Sequence, residues 1–129
     1  MAKATAATDR TLTEVELELM TILWRLGEGT VNDVIAGLSA ERPLAYTSVS
    51  TVLRILERKG VLGSRKQGRG HVYLPRVSKA TYASFSVRDL ITRVFDGTPS
   101  ALVRCLVEEA LSPEDVKALR AALAGKDRR

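Results

Sequence analysis

Helix punctuation constrains this chain more than any bulk property. Thr13 and Glu16 form a Thr-x-x-Glu capping box ahead of an apolar run, and Gly27 stands where a left-handed helix stop belongs. Along this first segment Glu14, Glu18, Thr21 and Arg25 mark one narrow polar stripe. Val15, Leu17, Leu19, Met20, Ile22, Leu23, Trp24 and Leu26 cover most of the remainder, so the helix packs on several sides, with Trp24 in that packing. Thr30 with Asp33 caps a second, short helix through Val31, Val34, Ile35 and Leu38. Pro43 keeps the chain extended before a third helix from about Tyr46 to Lys59, stopped at Gly60. There Val49, Val52, Leu53 and Leu56 fall at i, i+3, i+4 and i+7, which predicts one buried face. Two short runs, Val61 to Lys66 and His71 to Leu74, flank a Gly68-Arg69-Gly70 turn and end at Pro75. They read as a β-hairpin.

Three more helices are expected after the hairpin. Ser78 starts one that ends near Gly97, Thr98-Pro99 starts the next, and Ser112-Pro113-Glu114-Asp115 starts the last. Each carries an apolar stripe: Phe85, Leu90, Ile91, Val94 and Phe95; then Leu102, Val103, Leu106, Val107, Ala110 and Leu111; then Val116, Leu119 and Leu123. A winged helix can close its own small core, which leaves these stripes as a large apolar patch on a monomer. They are therefore expected to pair two copies of the chain, with Leu90, Ile91, Val94, Phe95, Leu102, Leu106, Val107, Leu111, Val116, Leu119 and Leu123 at the contact, the alternative being packing within the chain on the apolar first helix. The expected organisation is a winged-helix domain over residues 11–77 and a helical dimerisation segment over 78–125. Residues 1–10 and 126–129, polar and charged, are expected to fray.

Charge is distributed unevenly. The net is +5 over 129 residues, but residues 10–44 sum to −3, 45–76 to +6 and 77–129 to +2. Such a concentration of positive charge points to a polyanion as partner. The third helix hides its aliphatic residues and presents Thr47, Ser50 and Thr51 with Arg54 and Arg58, a surface narrow enough for a DNA major groove. The short hydroxyls near the helix start, where Tyr46 also stands, are placed for base edges or phosphates. Arg54 and Arg58 are placed for phosphates. Arg65, Lys66 and Arg69 decorate the hairpin, where a wing would lie along the DNA backbone or an adjacent minor groove.

The chain resembles the penicillinase-repressor family of winged-helix regulators, the BlaI/MecI/CopY type. The resemblance rests on the segments from Thr13 to Trp24, Ala45 to Leu53 and Leu56 to Gly60, and continues through Leu90 to Gly97, Leu102-Val103 and Leu111 to Val116. It implies a mainly α fold, a winged helix-turn-helix followed by a helical dimerisation segment. It implies a homodimeric repressor on a palindromic operator in double-stranded DNA, with Thr47, Ser48, Ser50, Thr51 and Arg54 as recognition positions. It also implies release by a resistance or stress signal, in some members through a protease of a membrane sensor pathway. Cys105-Leu106 stands here where the cleaved members carry Asn-Phe, and one cysteine replaces the cysteine cluster of the copper-responsive members.

Other functions find little support. A single cysteine excludes an intrachain disulfide framework or zinc finger and fits a cytoplasmic home. Among Leu102, Val103, Leu106 and Val107, Cys105 is expected as buried packing. No apolar run is long enough to insert in a membrane. His71 is the only histidine, no nucleophile elbow precedes a serine, and Gly68-Arg69-Gly70 is too short for a phosphate loop, so neither catalysis nor a cofactor or metal is expected. The alternative class is a winged-helix protein–protein interaction module whose basic face meets an acidic partner; the hydroxyl-rich third helix favours DNA over it.

Overall fold

Each capping signal in the first half of the chain is used. The computed structural model describes residues 11–127. Helix α1 runs Glu14–Leu26; Thr13 Oγ1 accepts from the Glu16 N–H at 3.1 Å while Glu16 Oε1 accepts from the Thr13 N–H at 2.9 Å. Gly27 ends it at φ +89°, a conformation that costs glycine little. Helix α2, Val31–Ala36, opens with the reciprocal Thr30 and Asp33 box. Helix α3, Tyr46–Arg58, stops one residue short of the expected end. The Gly60 N–H donates to the Glu57 carbonyl and the Val61 N–H to the Leu56 carbonyl, the Schellman pattern, with Gly60 at φ +85°.

Strands β1, Leu62–Gln67, and β2, Gly70–Pro75, pair antiparallel, from Leu62 opposite Pro75 to Gln67 opposite Gly70. Gly68 and Arg69 are left as a two-residue turn, and Gly68 takes the positive φ that a type II′ hairpin asks of its first central residue. Gly29, between α1 and α2, adds an isolated bridge to the hairpin: it exchanges backbone hydrogen bonds of 2.9 and 2.8 Å with Tyr73. This is a mainly α winged helix with a two-stranded wing.

The core gathers Leu19, Met20 and Leu23 of α1, Val34 of α2, Val49, Leu53 and Leu56 of α3, and Val61, Leu62, Tyr73 and Val77 beyond. The predicted α3 face is buried except Val52, which is half-buried. In α1, Leu17 and Leu26 stay exposed. Trp24 packs half-buried against the core, and its Nε1 donates to the Val77 carbonyl at 2.8 Å.

Helix α4 runs Lys79–Val94 and opens where Ser78 Oγ accepts from the Thr81 N–H at 3.0 Å. Its first half serves the winged helix: the Tyr82 ring lies 5.8 Å from Trp24, and its hydroxyl accepts from the Leu12 N–H at 3.2 Å. Packing divides the chain into one compact unit through Ser86 and a second from Val87, so the division falls inside α4 rather than at 77/78.

In the second unit, Asp96 at φ +52° and Gly97 at φ +77° follow the end of α4, and α5 (Pro99–Glu109) and α6 (Pro113–Asp127) come after. A Ser112 and Asp115 box caps α6. Among the described residues none beyond Val77 is buried. Leu90, Val94, Leu106, Val107 and Leu123 are exposed, and Ile91, Phe95, Leu102, Leu111, Val116 and Leu119 are half-buried. Cys105, expected as buried packing, is exposed instead, and no described residue of α5 is buried. Lys126 and Asp127, expected to fray, complete α6, and the rest of the terminal expectation (1–10 and 128–129) lies outside the described residues.

Candidate nucleic-acid interface

Burying Val49, Leu53 and Leu56 fixes which side of α3 meets solvent. Thr47, Ser48, Thr51, Arg54 and Arg58 are exposed there, Tyr46 is exposed at the first turn, and Ser50 is half-buried. Ala45 precedes the helix with extended backbone and makes no side-chain cap, and among the described residues no side-chain hydrogen bond to the first-turn N–H groups of α3 is present.

Between α3 and the hairpin lies a cleft of about 380 Å³ lined by Val31, Tyr46, Ser50, Arg54, Glu57, Arg69, Gly70, His71 and Tyr73. The structure thus brings the predicted Tyr46, Ser50, Arg54 and Arg69 to one opening. Ser64 Oγ donates to Glu57 Oε2 at 2.6 Å and ties β1 to the last turns of α3. Burial pushes the Tyr73 hydroxyl up, and the Glu57 carboxylate adds to that; Arg54, close by, pulls the other way. His71 and Tyr73, with ring centroids 6.4 Å apart, were not expected here; strand alternation puts both on one face, and the cleft shows that face to be the α3 side.

The basic segment carries fewer available charges than its sequence sum. Lys59 Nζ is 2.8 Å from Glu16 Oε1, and Arg65 holds Glu28 with both terminal nitrogens, at 2.8 and 2.6 Å. Arg42 pairs with Glu14 and Glu18 at 3.3 and 3.2 Å. Among the described residues Arg54, Arg58, Lys66, Arg69 and, past the hairpin, Arg76 have no such partner. Arg65 is the predicted residue the structure sets apart. It pairs with Val72 in the ladder, and alternation puts its side chain on the opposite face from Ser64 and Tyr73. No spacing rule reveals Glu28, because its partner is 37 residues away. Among the described residues no helix is long and apolar enough to cross a membrane, and no three His, Cys, Asp or Glu side chains cluster as a metal site would require.

Residues 12–125 match the family profile described as penicillinase repressor. The chain belongs to the penicillinase-repressor family. It is 29% identical over 109 residues to the penicillinase repressor of Bacillus licheniformis, a match covering 84% of this chain and 85% of that protein. It is 32% identical over 114 residues to the transcriptional regulator BlaI of Mycobacterium tuberculosis, covering 88% and 83%. Among solved structures it is similar to the DNA-binding domain of the repressor BlaI, at 32% identity and a TM-score of 0.50. That likeness covers 56% of this chain and 88% of the other. This penicillinase-repressor family member therefore shares both the profile of transcriptional repressors and their winged-helix architecture.

Proposed function

We propose that the chain is a homodimeric transcriptional repressor that sets α3 into the major groove of double-stranded operator DNA and lays its wing along the backbone. The observation carrying this is the composition of one surface: short hydroxyls and two unpaired arginines on the exposed side of α3, next to Lys66 and Arg69 of the hairpin. Thr47, Ser48, Ser50 and Thr51 read base edges or phosphates, with Tyr46 beside them, and Arg54, Arg58, Lys66 and Arg69 meet phosphates. The uncapped N–H groups at the start of α3 suit a phosphate too.

Dimer formation is supported by the second unit, whose helices carry apolar stripes but bury none of their residues. A second copy of the same stripes is the matching cover, and two-fold symmetry makes the operator palindromic. Release by a resistance or stress signal, acting in the cytoplasm through a sensor-pathway protease, belongs to the same reading. Cutting would then fall elsewhere than an Asn-Phe bond, since Cys105-Leu106 occupies that place. No catalytic step and no cofactor enters this function.

The test is a footprint on duplex DNA spanning the gene's own promoter. Protection of two symmetric half-sites about one helical turn, or a multiple of it, apart supports the proposal. Protection no stronger than on unrelated duplex contradicts it.

A further inference from the structure

The wing holds one arginine that is already occupied. Arg65 projects from β1 and grips Glu28 as a fork, Nη1 to Oε1 at 2.8 Å and Nη2 to Oε2 at 2.6 Å. Planar bidentate pairing of this kind is also how a guanidinium takes a phosphate, so the carboxylate occupies the geometry a phosphate would use.

Both ends of the pair stand on fixed backbone. Arg65 is in the ladder opposite Val72. Glu28 lies between Gly27, which closes α1, and Gly29, whose two backbone hydrogen bonds to Tyr73 fasten the loop to β2. The two Cα positions are therefore set by the fold before the side chains meet. The guanidinium in turn holds the Glu28 carboxyl below the usual carboxylate range.

Resting on the DNA-binding reading above, we propose that Glu28 is the wing's built-in counter-anion, holding Arg65 throughout DNA binding and keeping it out of the phosphate-contacting set. Exchange would replace one singly charged, two-oxygen partner by another. It would also leave the Glu28 carboxylate bare beside a polyanion, where like charge repels it. The paired side chains therefore remain a neutral unit. Counterion release falls to Arg54, Arg58, Lys66 and Arg69, and the wing's charge is set by an acidic residue in the loop between α1 and α2.

Salt dependence reads this directly, because each neutralised phosphate adds about 0.9 to the slope of log affinity against log salt. Binding of full-length wild type, Glu28→Gln, Glu28→Gln/Arg65→Gln and Lys66→Gln to a random-sequence duplex is measured across a salt series. Glu28→Gln frees a cation and steepens the slope, so that each bound protomer loses about 3.5-fold more affinity between roughly 50 and 200 mM salt. The double variant, one neutral pair for another, keeps the wild-type slope, while Lys66→Gln becomes shallower by the same step. An unchanged slope in Glu28→Gln, or a double variant as shallow as Lys66→Gln, overturns the proposal. Failure of wild type to bind duplex at all overturns the DNA reading itself and this inference with it, and is recognisable as a different result.

Discussion

Lys59, just past the end of α3, reaches back to Glu16 in the first turn of α1, Nζ to Oε1 at 2.8 Å. Glu16 is buried, at 5% exposed, and its carboxylate also accepts the Thr13 N–H. Burial pushes its pKa up, but the Lys59 and Thr13 hydrogen bonds outweigh burial and hold it below 4.5. One side chain thus closes a helix cap and fastens α1 to the end of α3, which fixes α3 against the core.

A depressed carboxylate pKa stabilises the fold above its unfolded value and gives that stabilisation up as pH falls through the folded one. Unfolding free energy should be level near neutral pH and decline as pH drops below about 4.5. Glu16→Gln should flatten that decline and cost about 1.5–3 kcal/mol at pH 7. Urea unfolding at a series of pH values measures both.

The sequence made the local devices legible and left the long-range ones hidden. Thr13, Thr30, Ser78 and Ser112 act as caps because a cap needs only neighbours within one turn. Helix periodicity exposed Val49, Leu53 and Leu56, and so the hydroxyl and arginine face opposite them. Periodicity carries no information about which distant carboxylate meets which cation, so the charge sum over residues 45–76 overstated the basic surface: Lys59 and Arg65 belong to Glu16 and Glu28. The exposed Cys105 has the opposite cause. Apolar neighbours along a helix mark a face suited to being covered, but they do not say what covers it, and among the described residues that face of α5 stays exposed.

Tyr82 joins α4 to the winged helix through Trp24 and Leu12. Tyr82→Ala should destabilise the first unit by about 1–2 kcal/mol, from the lost aromatic pair and the uncovered surface. For the same reason a chain ending after Ser86 should unfold at higher temperature than one ending after Val77. Thermal denaturation of the two truncations decides this; equal midpoints would remove Tyr82 from the fold of that unit.

Affinity and specificity should separate by element. Arg69→Ala and Lys66→Ala should weaken operator and random duplex alike, since phosphate contacts carry little sequence information. Ser50→Ala and Thr51→Ala should narrow the gap between the two duplexes by about 1–3 kcal/mol each where a base contact is lost. Competition binding on both duplexes measures the ratio. Equal effects from the two groups would contradict the roles given to α3 and the hairpin.

The apolar stripes of the second unit make a prediction about assembly. Full-length protein should sediment as a dimer at micromolar concentration, and a chain ending after Ser86 as a monomer. Val94→Asp and Leu106→Asp, at exposed positions that cost the folded monomer little, should shift the full-length chain toward monomer. A monomer without substitution would remove the reason for a palindromic operator.

Binding of the full-length chain to random duplex DNA across a salt series tests most directly that the face of α3 and the hairpin is built for a polyanion. If the four cations Arg54, Arg58, Lys66 and Arg69 of that face act on each protomer of the proposed dimer, about six to eight phosphates would be engaged. Affinity should then fall roughly 10³- to 10⁵-fold between about 50 and 200 mM salt. An affinity that does not change over that range would contradict it.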